Sequence, residues 1–283
     1  MLSYLHAFHA GNFADVQKHG ALCLIQAMMQ AKPSAITCFD THAGSALYDL
    51  DEDRARKTGE SEAGIQAVWS HRQALTSADW AHYLDTLSSL NPERARLRQY
   101  PGSPSWLASM KRPDDRIVVF ELHPAEQARL TDWAARRGDV TVRRSDGLAG
   151  LLKSLPPKTP RLLAIIDPSY EVKTDYKAVA STLVAAWQRC RHGVFLIWYP
   201  VLPGDPASAL LDGLKNSPVR KILRSELRLT PRPARGMSGS GLLVINPPWG
   251  FGERFDRMMG EVANDGLLGA THAIDWWVPE ATA

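Results

Sequence analysis

Short, unbroken apolar runs alternate along this chain with longer stretches in which apolar positions recur every three or four residues. The runs Ala35–Asp40, Ile117–Glu121, Val140–Val142, Leu162–Ile166 and Val194–Trp198 have the length and composition of strands, Leu162–Ile166 of one buried on both faces. Two later segments, Val219–Leu229 and Gly241–Asn246, predict closing strands. Asn12 can cap a helix in which Phe13, Val16, Leu24, Ile25 and Met28 recur at near-helical spacing to about Ala31. Further helical stretches are Ala125–Arg136 and Tyr176–Cys190. Strands alternating with helices predict an α/β protein with a doubly wound sheet.

One interval breaks the rhythm. The stretch from Asp40 to Arg116 is more than twice as long as a whole βαβ unit of about 30 residues. Ile65, Val68, Trp69 and Leu75, then Trp80, Tyr83, Leu84, Leu87 and Leu90, carry helical periodicity within it. The expected organisation is one domain, residues 1–50 and 100–283, with a helical insertion subdomain at 51–99. The alternative is that the segment only extends the core. At 283 residues and 45% hydrophobic the chain can bury a full core. Its net charge of +3 suits a phosphate-bearing partner without resembling a basic tail. Cys23, Cys38 and Cys190 show no paired spacing, which fits reduced thiols in a cytoplasmic protein. No signal peptide or membrane span is expected from the start of the chain or its apolar runs.

The run Leu162–Ile166 ends in Asp167-Pro168-Ser169-Tyr170. Ligands of open α/β sheets bind beyond the carboxyl ends of the strands, so this tetrapeptide would face a site. A carboxylate beside an aromatic ring can hold the exocyclic amine of a planar base while the ring stacks on its face. The plain alternative is a strand-to-loop turn with an Asp-Pro cap. Asp40, Glu121, Asp146 and Asp167 place acids at the ends of four predicted strands. Glu121 could take two ribose hydroxyls, and Asp146-Gly147 could meet an adenine edge. That series has the layout of an S-adenosylmethionine site followed by a substrate-amine site. Asp40-Thr41-His42-Ala43-Gly44 is not the G-x-G-x-x-G dinucleotide fingerprint, which argues against a nicotinamide oxidoreductase.

Further motifs identify a family. Met1-Leu2-Ser3-Tyr4, His6, Phe8-His9-Ala10-Gly11-Asn12, Ala14-Asp15-Val16 and Lys18-His19 stand at the start. Thr41-His42-Ala43-Gly44, Tyr100-Pro101-Gly102-Ser103-Pro104, Glu121-Leu122-His123-Pro124, Asp146-Gly147, Lys173-Thr174-Asp175-Tyr176 and Trp198-Tyr199-Pro200 follow. With Asn246-Pro247-Pro248-Trp249, they resemble the bacterial 23S ribosomal RNA adenine-N6-methyltransferases of the J type, as far as about Pro279. The resemblance implies a class I, Rossmann-like methyltransferase with a seven-stranded, mostly parallel sheet and a helical insertion. It implies that His19, His42, Ser103, Glu121, Asp146, Gly147 and Asp167 line a pocket for S-adenosylmethionine, with Lys18 beside them. Asp167 and Tyr170 would be catalytic, and Tyr4, Pro168 and Tyr170 would meet the RNA. Such enzymes usually read Asp-Pro-Pro-Tyr; Ser169 replaces the second proline here and frees φ at one position.

Several features compete. Asn246-Pro247-Pro248-Trp249 is the better literal match to the amino-methyltransferase tetrapeptide, but it follows the last predicted strand and is expected to be structural. His6, His9, His19 and His42 could suggest zinc, yet no cysteine joins them and no metal is expected. Arg220, Lys221, Arg224, Arg228, Arg232 and Arg235, and Arg94, Arg96 and Arg98, could grip phosphates or form solvated faces. The expected partner is 23S rRNA, free or in an assembling subunit, and the expected state a monomer. The alternatives are a DNA adenine-N6 methyltransferase and a non-catalytic nucleic-acid-binding protein linked to DNA utilisation.

Overall fold

The computed structural model describes residues 6–92, 95–264 and 266–280. Eight strands form one sheet in the order β10-β8-β9-β7-β6-β1-β4-β5. They are β1 (Ile36–Asp40), β4 (Arg116–Phe120), β5 (Thr141–Arg143), β6 (Arg161–Ile166), β7 (Val194–Val201), β8 (Ile222–Leu229), β9 (Gly239–Ile245) and β10 (Ala270–Val278). A separate hairpin pairs β2 (Leu47–Asp49) with β3 (Gln99–Pro101). Strands β5, β4, β1, β6 and β7 run parallel, whereas β9, β8 and β10 join antiparallel. Seven of the eight correspond to the predicted runs; β10 is an additional edge strand. Its residues alternate between exposed and partly buried, so it lacks the continuous apolar run that marks the central strands.

The central strands bury both faces, as their unbroken apolar composition requires. Along β6, Leu163 and Ile165 point into one core and Leu162, Ala164 and Ile166 into the other, following the two-residue period of a strand. The first core is covered by α1 (Phe13–Gln30), α5 (Ser103–Ser109), α6 (Pro124–Arg137) and α10 (Phe251–Gly260). The second lies under α7 (Gly147–Ser154), α8 (Thr174–Arg189) and α9 (Ser208–Lys215).

Helix α1 starts where the Asn12 side chain accepts from the Asp15 N–H, as its capping role predicts. It is buried around most of its circumference, so its polar residues need internal partners. Gln17 donates to Ser225, Gln26 donates to the Leu107 carbonyl, and His19 shares a hydrogen bond with the Tyr100 hydroxyl.

Between β2 and β3 lie α2 (Asp53–Thr58), α3 (Ala67–Ser70) and α4 (Ala81–Leu90), with short 3-10 turns and one π-turn at Glu62–Gln66. Gly64 breaks the helical path because the loop before α1 lies against it. A Cβ there would sit 2.2 Å from the Gly11 carbonyl oxygen, which accepts from the Ile65 N–H at 2.8 Å. Ile65, Val68, Trp80 and Tyr83 share the core on which α1 packs. Among the described residues no helix is long and apolar enough to cross a membrane.

Candidate active site

A cavity of about 390 Å³ opens at the carboxyl edge of the parallel strands. This is the position that topology assigns to a ligand, and the size suits a small molecule. His19, His42, Ser103, Glu121, Lys18, Asp167 and Pro168 all line it, drawn from α1, the loop after β1, the start of α5 and the ends of β4 and β6.

At one end, Glu121 accepts from the Gly44 N–H at 2.7 Å and the His123 N–H at 2.6 Å, which fixes its carboxylate toward the cavity. Gly44 adopts a φ of +56°, a conformation suited to glycine, and a Cβ there would lie 2.5 Å from the Tyr48 hydroxyl. Burial lowers the pKa of His42 to about 4, so its ring is neutral at pH 7; it shares a hydrogen bond with the Thr41 hydroxyl at 2.8 Å. Burial likewise holds His19 neutral.

At the other end, the Lys18 ammonium lies 2.5 Å from Asp167 Oδ2 and 3.0 Å from Asp15 Oδ1. Asp15 also accepts from the Gly11 N–H at 2.8 Å and pairs with His6 at 2.9 Å. Burial alone would neutralise these groups. For Lys18, Asp15 and Asp167 outweigh it and push the pKa up; for Asp15, His6 and Lys18 outweigh it and hold the carboxyl well below its ordinary range. The outcome is a charged Lys18–Asp15 pair, whose ammonium sets the orientation of Asp167.

Behind the wall sits Asp40, fully buried at the end of β1. Burial, reinforced by nearby Asp167, raises its pKa to about 7. One of its carboxyl oxygens accepts from the His42 N–H, and the other has no partner.

Three expected residues stand outside the cavity wall. Asp146 is exposed, and its carboxylate caps α7 by accepting from the Ala149 N–H at 2.7 Å. Gly147 is buried where a Cβ would meet the Thr41 carbonyl oxygen at 1.7 Å, so its part is close backbone packing. Tyr170 adopts a φ of +53°, which turns its ring under the loop and into the second core. There it stacks on Tyr176 with centroids 4.4 Å apart, and its hydroxyl donates to the Trp198 carbonyl at 2.8 Å. The aromatic ring in the wall beside Asp167 is that of Trp198, whose indole N–H donates to Ser240. Tyr4 lies outside the described residues.

Other wall residues had no role in the sequence reading. Glu60 comes from the helical segment and ties His9 and Asn12 together at 2.9 Å each. Glu126, in the first turn of α6, accepts from the Ser45 hydroxyl and keeps its second oxygen buried without a partner, as does His123 with its Nδ1. Glu126 reads in sequence as an ordinary first-turn acid, so only folding reveals its place.

The competing features separate by position. Asn246-Pro247-Pro248-Trp249 lies at the opposite edge of the sheet, with the Asn246 amide donating to the Arg191 and Gly193 carbonyls at 2.8 Å each. Among the described residues, no group of three or more His, Cys, Asp or Glu side chains is arranged to hold a metal ion. Arg96 is paired with Glu62 and Arg98 with Asp49, while Arg94 lies outside the described residues.

The strand order, with ligand-facing acids at the carboxyl ends of β4 and β6, defines a Rossmann-like fold of the class I methyltransferase type. Comparison with known proteins is more specific. Residues 33–276 match the family described as ribosomal RNA large subunit methyltransferase D, RlmJ, and the chain belongs to that family. It is 36% identical over 283 residues to the ribosomal RNA large subunit methyltransferase J of Escherichia coli K12, covering 99% of this chain and 100% of that protein. The protein of the same name from Haemophilus influenzae gives the same identity and coverage. A crystal structure from Legionella pneumophila is 32% identical, with a TM-score of 0.87 over 95% of this chain and 98% of that one.

Proposed function

We propose that this chain transfers a methyl group from S-adenosylmethionine to the exocyclic N6 amine of one adenine in 23S rRNA. The observation that carries the reading is a single cavity with Glu121 at one end and the Lys18-held Asp167 at the other. The residues fit the donor. Glu121 can accept ribose hydroxyls, neutral His42 adds a polar edge without opposing a cation, and the unpartnered oxygen of Glu126 awaits a donor. When bound, the donor supplies an electrophilic methyl on a sulfonium and needs no activation by the protein.

The protein's task is to present the amine. Adenine's amine is a poor nucleophile because its lone pair is delocalised into the ring. Asp167 accepting one N–H and the Pro168 carbonyl accepting the other favour a pyramidal nitrogen and stabilise the charge that develops there. Lys18, 2.5 Å from Asp167 Oδ2, holds the carboxylate aimed. Extruding a base from its stack costs a few kcal/mol, and an aromatic platform returns about 1–3 kcal/mol. Trp198 offers that platform in this conformation; Tyr170 would take the role only by leaving Tyr176 and the Trp198 carbonyl. A ribosomal substrate places the protein in the cytoplasm.

The test is transfer of labelled methyl from S-adenosylmethionine to 23S RNA from cells lacking this gene, with duplex DNA beside it and the labelled nucleotide mapped. Label on one RNA adenine is expected. Label on DNA alone, or on neither polymer nor the large subunit, would overturn the reading.

A further inference from the structure

The six basic residues between 220 and 235 look alike in sequence, and the fold divides them. Arg220 and Lys221 precede β8 at the edge away from the cavity. Arg220 donates to the Ser217 and Val219 carbonyls, and Lys221 pairs with Glu280. Within β8, Arg224 pairs with Asp275 and Arg228 with Glu226. Arg232 and Arg235 differ from all four. They sit in the loop between β8 and β9, which leaves the sheet level with Val201, at the carboxyl edge where the cavity opens. The Ser238 N–H donates to the Val201 carbonyl at 2.9 Å, and the next residues back, Met237 and Gly236, line the cavity. Both arginines are exposed, among the described residues no carboxylate pairs with either, and residues 230–237 contain no acid.

From these placements we infer that Arg232 and Arg235 form the grip for backbone phosphates of the RNA strand beside the target nucleotide. This deepens the rRNA methyltransferase reading and depends on it. Along the edge, β6, β7, β9 and β8 follow one another, so three strand spacings, about 14 Å in all, separate the end of β8 from Asp167. A contact that far from the amine falls on neighbouring nucleotides and leaves the target base free to enter the cavity. Pro231 and Pro233 flank Arg232 and fix φ on either side, which lowers the ordering needed on binding. Arg224 and Arg228, already neutralised by carboxylates, contribute far less to a phosphate contact.

The experiment is binding of a single-stranded 23S RNA fragment containing the modified adenine, measured from 50 to 200 mM KCl. Wild type, Arg232→Gln, Arg235→Gln, the double variant and Arg220→Gln are compared, and methyl transfer is assayed beside binding. Each active-edge substitution should flatten the slope of log affinity against log salt by about 0.7, and the pair by about 1.4. The apparent KM for RNA should rise while kcat and affinity for S-adenosylmethionine stay as in wild type, and Arg220→Gln should match wild type throughout. An unchanged slope in the double variant, with wild type methylating the fragment normally, would overturn the inference alone. No methyl transfer by wild type to the fragment, to 23S RNA or to the large subunit would overturn the underlying reading as well.

Discussion

Two polar chains start from adjacent residues of α1 and end very differently. Lys18 joins Asp15 and Asp167 at the cavity. Gln17, about 100° away around the helix, enters a second chain in which Ser225 meets His272 at 2.8 Å and His272 meets Asp256 at 2.9 Å. Distances alone would make that second chain a Ser-His-Asp triad with nucleophile, base and orienter in order. Its burial runs the wrong way. Ser225 is 1% exposed and stands outside the wall of the cavity described above, its backbone is paired in the sheet on both sides, and the outermost member is Asp256. No substrate carbonyl could reach the hydroxyl. The cavity chain is looser in form but has space in front of Asp167. Room beside the reacting atom, more than the spacing of a constellation, separates a site from a structural pin.

The strongest way to sharpen this contrast is to neutralise the acid that faces the space. Asp167→Asn keeps the shape, removes the charge and should lower kcat by about 10²–10³-fold, the usual loss when one preorganised electrostatic partner is removed. Binding of S-adenosylmethionine, measured by calorimetry, should be partly retained. Near-normal turnover in this variant would remove Asp167 from the chemistry.

Asp40 tests the wall from behind. Its folded pKa of about 7 lies above the ordinary carboxyl value of 3.8, so between these values the folded state holds a proton that the unfolded chain has lost. Its contribution to stability is therefore full below about pH 4, and is lost as pH rises toward 7. Asp40→Asn imitates the protonated form, and its stability relative to wild type should climb across that window by up to about 4 kcal/mol, then level off. Denaturant titrations at pH 4, 5.5, 7 and 8 would show it. A difference that is flat with pH would mean Asp40 is ionised throughout.

Much of this was legible in the chain because burial on both faces of a strand leaves an unmistakable apolar run. β1, β4, β6 and β7 sit where Ala35–Asp40, Ile117–Glu121, Leu162–Ile166 and Val194–Trp198 predict, and the acids beyond three of them fall at one edge. β10 was hidden because an edge strand buries only part of its surface, and the β2–β3 hairpin because each strand is three residues long. The direction of Tyr170 could not be read either. It depends on the sign of one φ in a turn, and an aromatic residue gives no hint of a left-handed conformation. Glu60 and Glu126 reach the cavity from separate segments through the fit of Gly64 against Gly11 and of Ser45 against α6, contacts that no spacing along the chain encodes.

The buried chain supplies the smaller tests. His272→Ala removes a nearly buried ring that packs edge-on against Phe255 and bridges β8 to α10, so it should cost about 2–3 kcal/mol by denaturant titration. Turnover per folded molecule should not change.

Ser225→Ala is the mildest change and the most direct challenge to the contrast. The hydroxyl accepts from the Gln17 amide and shares a hydrogen bond with His272, so its loss leaves a buried amide with one partner fewer. Gln17 keeps the Ser225 carbonyl as an acceptor at 3.3 Å, which limits the cost to about 1 kcal/mol. Methyl transfer should be unaffected, and a serine-directed fluorophosphonate should leave wild-type Ser225 unlabelled, because modification needs the attacking oxygen exposed. Labelling at Ser225 on the native protein, abolished by His272→Ala, would show that the sheet opens there and that a second reactive centre lies one residue around α1 from the first.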